Sequence, residues 1–215
     1  PTFQRGLSWL RARPEVDPAR TAMIGWSRGS EAAQLLAIRD PSIKAIVLGM
    51  PGNAVWPGFG WDEPWKQFGS PWSWRGEALP YLELGGIQTI GGDMDETWRE
   101  IAAREKQHPE ATIPITDVGV PVLIICGESD IVWPSCQMGR AIADAAAQAG
   151  KDDVRLLAFP DAGHYAFGAP VSEDDEAFEK LDKLGGSPEG NADALRQSYR
   201  DIVAFLRDTT GGDAN

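Results

Sequence analysis

A serine, an aspartate and a histidine in this chain stand in sequence contexts that suit nucleophilic catalysis. Ser27 lies in Gly25-Trp26-Ser27-Arg28-Gly29, between an apolar run (Ala22 to Ile24) and a helix-forming run (Glu31 to Ile38). Strand, sharp turn and helix form the setting in which G-x-S-x-G exposes a serine hydroxyl at the top of a sheet. Two glycines without Cβ allow strand and helix to approach closely. The Arg28 backbone N–H, at the start of the helix, is placed to meet an oxyanion formed near Ser27. The bland alternative is a glycine-rich turn with no chemistry.

A serine hydroxyl is a poor nucleophile on its own. It needs an imidazole to take its proton and a carboxylate to hold that imidazole in the correct tautomer. The chain has two histidines. With an elbow of this kind the partners follow in the order serine, acid, histidine. His164, in Pro160-Asp-Ala-Gly-His-Tyr165 after the last expected strand, is therefore the candidate base. His108 precedes the strand that should carry the acid and reads as a surface residue at a helix end. Asp130 lies four residues past Cys126, in the loop leaving the carboxyl end of a strand, where open α/β sheets gather their chemistry. Glu128 is its nearest rival and otherwise supports the turn. Asp161 reads as shaping the histidine loop through an Asx-type turn, and Asp117 sits at the wrong end of its strand.

These residues must be held by a sheet. A helix over 3–13 ends at Pro14. After the elbow helix, Ile43 to Met50 reads as a second buried strand, which implies a parallel crossover. Val120 to Cys126 is the clearest strand, apolar without alternation, as for a central parallel strand. An Ala-rich helix follows over 135–150, then a strand over 154–159. Residues 171–190 read as an acidic surface excursion, 191–206 as a closing amphipathic helix, and 208–215 as a flexible tail. Residues 51–92 differ from the rest. Five of the nine tryptophans fall between Trp56 and Trp74, with many Gly and Pro and neither helical nor strand period. A segment this long and aromatic is expected to be a lid beside the site, or else an irregular satellite core. Trp56, Trp26 and Trp133 are the candidate substrate-binding side chains.

Asp93-Met-Asp-Glu96 opens a helix running to about Gln107. Acids suit that end of the helix dipole, and no supporting ligands stand near them, so no metal site and no cofactor are expected. The net charge of −12 over 215 residues argues against nucleic acid and anionic membrane as partners. No run reaches transmembrane length, and the N-terminus shows no signal-peptide pattern, which points to the cytoplasm. Cys126 and Cys136 make no disulfide framework. Their spacing permits a bridge, but they read as unbridged.

Together, Gly25-Trp-Ser-Arg-Gly-Ser-Glu31, Val122-Leu-Ile-Ile-Cys-Gly-Glu-Ser-Asp-Ile-Val-Trp-Pro-Ser135 and Phe159-Pro-Asp-Ala-Gly-His164 resemble one family. It is the C-terminal catalytic domain of the acyl-CoA thioesterases and bile acid-CoA:amino acid N-acyltransferases, within the α/β-hydrolase superfamily. The resemblance spans roughly residues 1–170. It implies a single catalytic domain over 1–215, with Ser27 as nucleophile, Asp130 as acid and His164 as base. The substrate it implies is a small-molecule acyl thioester or oxygen ester. In the acyltransferase branch the nucleophile is typically cysteine, so Ser27 resembles the hydrolytic branch. Several strands usually precede such an elbow and supply a second oxyanion donor. This sequence reaches its elbow by residue 27. A processed or reduced α/β-hydrolase fold is therefore expected, with a homo-oligomer or a chain supplying the missing N-terminal strands as the partner that would complete it. The alternatives are a carboxylesterase or dienelactone-hydrolase-like enzyme, and a non-catalytic binding module.

Overall fold

The computed structural model describes residues 2–60, 66–87 and 91–211. The elements, in chain order, are α1 (Thr2–Arg11), β1 (Met23–Trp26), α2 (Arg28–Ala37), β2 (Ile46–Gly49), β3 (Ser73–Trp74), β4 (Glu77–Ala78), α3 (Met94–Gln107), β5 (Val122–Gly127), α4 (Ser135–Gln148), β6 (Val154–Phe159) and α5 (Pro188–Thr210). Strands β1, β2, β5 and β6 form a sheet in that order, and every pair in it is parallel. Parallel neighbours need crossovers, which α2, the long 50–121 connection and α4 supply.

The side-chain period of two sorts the strand residues onto two faces. Ile46, Leu48, Val122 and Ile124 pack with Leu36 of α2 and Ile142 of α4. Val47, Leu123 and Ile125 pack on the other face with Ile202 of α5. Strand β5 is buried at all six positions, as its unbroken apolar run requires of a strand covered on both faces. The outer strand β1 leaves Ile24 and Trp26 52% and 42% exposed.

A third cluster lies over the carboxyl edge. Trp56, Leu82 and Leu84 of the tryptophan-rich segment pack against Ile101 of α3 and against Trp133 and Met138. The described part of this segment is irregular apart from the β3–β4 hairpin. Its turn residues Arg75 and Gly76 both have positive φ, 53° and 93°, the pattern of a tight two-residue hairpin. Trp61 and Trp65, and residues 88–90 of the expected lid, lie outside the described residues. Asp93 caps α3, its carboxylate accepting the N–H groups of Asp95 and Glu96, so the acids there serve the helix end.

Four expectations are corrected. Cys126 and Cys136 are bridged, with Cα atoms 5.1 Å apart, because the 127–134 loop folds back and sets the start of α4 beside the end of β5. Helix α5 starts at Pro188, with Ser187 capping it, a serine-proline start that suits a helix N-terminus. The same helix continues to Thr210, with Gly211 left-handed at its end, so residues 208–210 are helical; 212–215 lie outside the described residues. The 171–190 stretch is not all surface. Phe178 and Leu181 are buried against Ala192 and Leu195. Among the described residues, no helix is long and apolar enough to cross a membrane.

Candidate active site

Ser27 follows β1 directly and occupies a rare backbone conformation, φ 53° and ψ −125°. Strain of this kind persists only where the surroundings over-determine it. Here the Ser27 N–H donates to the Gly49 carbonyl at 2.8 Å, and the Ser30 N–H donates to the Ser27 carbonyl at 2.9 Å. A Cβ on Gly25 would lie 2.2 Å from the Gly29 carbonyl oxygen, whereas one on Gly29 would meet nothing within 4 Å. The close approach of strand and helix therefore rests on Gly25, not on both glycines. The Arg28 N–H opens α2 and has no acceptor within the helix.

His164 and Asp130 leave the carboxyl edges of β6 and β5, beside Ser27. His164 Nε2 lies 2.9 Å from Ser27 Oγ, and Nδ1 lies 2.8 Å from Asp130 Oδ2. Both His164 and Asp130 are only 3% exposed. With the Nδ1 proton donated to the carboxylate, Nε2 is left as the acceptor for the serine hydroxyl. Asp130 is itself held at both oxygens. Oδ1 accepts the Val132 and Trp133 N–H groups at 2.8 and 3.4 Å. Oδ2 accepts the buried Ser135 hydroxyl at 2.6 Å as well as the imidazole. A serine so connected can attack an electrophilic carbonyl and return its proton through the imidazole.

The rival groups are engaged elsewhere. Glu128 pairs with Arg140. The Asp161 carboxylate accepts the Ser187 hydroxyl at 2.6 Å, so it shapes its loop through the start of α5. His108 caps the end of α3 and faces Glu110, with half its side chain exposed. Of the three tryptophans, Trp26 and Trp133 lie against the imidazole and Trp56 stands behind Trp133. Trp26 donates from Nε1 to the His164 carbonyl at 3.1 Å, and its ring lies 5.4 Å from the imidazole. Trp133 meets the imidazole edge-on at 6.0 Å, and the Trp56 ring lies 4.8 Å from the Trp133 ring. Trp56 and Trp133 are 2% and 3% exposed, so they form a packed floor beside His164, while Trp26 offers open ring surface.

Sequence reading missed the strap that locks the acid and base loops together. Leu184 and Gly185 run between them. The His164 N–H donates to the Leu184 carbonyl at 3.0 Å, and Gly185 bridges to Asp130. The fully buried Asn191 accepts from the Gly163 N–H and donates to the carbonyls of Gly185 and Ser187. The Gly185-Gly186 pair and the Ser187-Pro188 helix start were the available signals.

Arg28 and Glu31, beside the nucleophile, are perturbed by burial. It lowers the pKa of the Arg28 guanidinium against the opposing pull of Glu31. It pushes the Glu31 carboxyl up to about 7, against Arg28, Trp72 and Trp56.

A family model described as "BAAT / Acyl-CoA thioester hydrolase C terminal" matches residues 2–212. Human acyl-coenzyme A thioesterase 6 is 21% identical over 221 residues, covering 98% of this chain and 49% of its own length. Acyl-coenzyme A amino acid N-acyltransferase 2 of Rattus norvegicus is 24% identical over 212 residues, covering 95% of this chain and 48% of its own. The chain thus spans about half the length of the curated relatives it matches. The solved acylaminoacyl peptidase of Pyrococcus horikoshii superposes with a TM-score of 0.58 at 13% identity, over 100% of this chain and 28% of that one. At that identity the likeness is one of fold, the α/β-hydrolase fold.

Proposed function

Because the chain belongs to the BAAT / acyl-CoA thioester hydrolase C-terminal family, we propose that it hydrolyses acyl thioesters through Ser27, His164 and Asp130. The observation that carries this reading is the continuous hydrogen-bond chain of 2.9 and 2.8 Å from serine to imidazole to carboxylate. Ser27 Oγ attacks the acyl carbonyl carbon as His164 Nε2 takes its proton. The tetrahedral oxyanion meets the Arg28 N–H, a contact worth about 3 kcal/mol of barrier in enzymes where one such donor has been removed. The C–S bond then breaks, and the leaving thiolate takes the proton from His164. Water attacks the acyl-serine with His164 again as base, releasing the free acid and restoring the serine. Asp130 holds the imidazole and stabilises its charged form throughout.

In this reading the tryptophan-rich segment is the lid-like wall of the acyl site. The test is covalent and kinetic. A fluorophosphonate should label Ser27, and the adduct should vanish in His164→Ala. Ser27→Ala should lose thioester hydrolysis by about ten-thousand-fold. Turnover retained in Ser27→Ala overturns the assignment. Transfer of the acyl group to an added amino acid, in place of free acid release, would make the amine the acceptor.

A further inference from the structure

The elbow helix carries a carboxylate that the triad does not use. Glu31 stands four residues after Ser27, one turn along α2. It is fully buried, a costly place for a carboxylate unless its partners compensate. Those partners all lead to the tryptophan-rich segment. Glu31 Oε2 accepts the Trp72 indole N–H at 2.6 Å and the Trp56 N–H at 3.4 Å. Oε1 faces the Arg28 Nε at 3.4 Å. Arg28 in turn donates to the Trp56 carbonyl at 2.8 Å. The residue after the nucleophile and the residue four beyond it therefore grip Trp56 at both its backbone groups, and hold Trp72 as well.

Trp56 and Trp72 bracket residues 57–71. Just inside them the two chain ends pair: the Gly58 N–H donates to the Gly69 carbonyl and the Phe68 N–H to the Gly58 carbonyl, each at 2.8 Å. Phe59 and Phe68 are 41% and 54% exposed. The described ends of this stretch, 57–60 and 66–71, thus pair with each other, carry aromatic surface and are tied to one carboxylate.

We propose that Glu31, with Arg28, is the positioning anchor that fixes Trp56 and Trp72 relative to Ser27 and thereby sets which acyl groups the site accepts. This rests on the hydrolase reading above. A bare packing role for Glu31 would change stability without changing the choice of substrate. The anchor is also ionisable. Burial raises the Glu31 carboxyl to about 7, while Arg28, the Trp72 indole and the Trp56 N–H favour the charged form. On its own helix it meets Arg28. From the chain packed on it come the Trp56 N–H, the Trp72 indole and the Gly52 backbone, none of which titrates. The carboxylate above neutrality accepts stronger, charge-assisted hydrogen bonds than the neutral acid below it.

The experiment compares kcat/KM for a long and a short acyl-CoA from about pH 6 to 8, reported as their ratio. Ionisation of the triad is common to both substrates and cancels in that ratio. The wild-type ratio should move by about fivefold through neutrality, in line with gain or loss of charged hydrogen bonds. Glu31→Gln should make the ratio independent of pH. Trp72→Phe keeps the ring and removes only the indole donor, so it tests the anchor without disturbing a buried charge. It should shift the ratio in the same direction as acidification, and the two changes together should be less than additive. A ratio that is flat in wild type and unmoved by Trp72→Phe, in protein whose Ser27 takes the fluorophosphonate label, overturns the anchor. Failure of wild-type Ser27 to label overturns the hydrolase reading instead.

Discussion

Two irregular regions meet near Ser27, and they lean on backbone and side chain in different proportions. The acid and base loops are locked to the 184–191 strap largely through backbone, with the Asn191 amide and the Ser187 hydroxyl added. Ser129 donates to the Ala162 carbonyl, His164 to that of Leu184, and Gly185 bridges to Asp130. The tryptophan-rich segment pairs by backbone with residues 111–113 at its start, but over the site it hangs from side chains of α2. Ser30, Glu31, Gln34 and Arg28 hold the backbone of Gly52 and Trp56. Backbone fixed on backbone tolerates many side chains but leaves no room for an added atom. Chain fixed by side chains can be re-aimed by substitution or by proton binding. The chemical step demands the first kind of support, because small displacements of a base are costly. On the proposed reading, a wall for variable acyl groups is served by the second.

The sharpest way to break this contrast is to wedge the strap. A Cβ on Gly185 would lie 1.9 Å from the Ser129 carbonyl oxygen, and its φ is 96°. Gly185→Ala therefore meets backbone, which cannot yield as a flexible side chain does. The expected cost is about 3 kcal/mol of unfolding free energy, with loss of most activity as Asp130 and His164 separate. Urea unfolding and kcat measured on the same sample check this. A wild-type midpoint and rate would show that the strap merely passes by.

A smaller effect should come from Ser135. Its hydroxyl donates to the same Asp130 oxygen that faces His164. Ser135→Ala removes one charged hydrogen bond and leaves the loop's backbone contacts in place. We expect a fall in kcat of about tenfold with KM little changed, and recovery in Ser135→Thr. A change confined to KM would place Ser135 in the substrate wall and blur the distinction between the two regions.

What could be read in the sequence divides along the same line. Ser27, Asp130 and His164 stood out because each follows a strand whose apolar run or glycine turn is a local signal, and the structure brings their side chains within hydrogen-bond reach. Strand β5 was legible for the same reason. The Cys126–Cys136 bridge was not, because ten residues of separation say nothing about a loop that doubles back. Phe178 and Leu181 lie in an acidic stretch that reads as surface, yet they pack under α5. Glu31 entered only as the first residue of a helix-forming run; the return of Trp56 and Trp72 to it gives it partners. The start of α5 was available in Ser187-Pro188-Glu189 and was placed three residues late.

The mildest test lies at the far end of the hung segment. Trp74, in the β3–β4 hairpin, is half-buried, with the Arg39 guanidinium 5.3 Å from its ring centre. It borders a cavity of about 50 Å³ shared with Phe3, Leu35 and Leu79, so its ring is not fully packed. Trp74→Ala should therefore cost only about 1–2 kcal/mol, from partial apolar exposure and the lost cation–π contact. Thermal unfolding measures the cost directly, and kcat on a short acyl thioester should stay at the wild-type value. A loss well beyond that range would mean the hairpin is core rather than an appendage of α2. The side-chain anchors at Glu31 and Arg28 would then be one support among several, and the separation between a rigid catalytic frame and an adjustable wall would fail at that point.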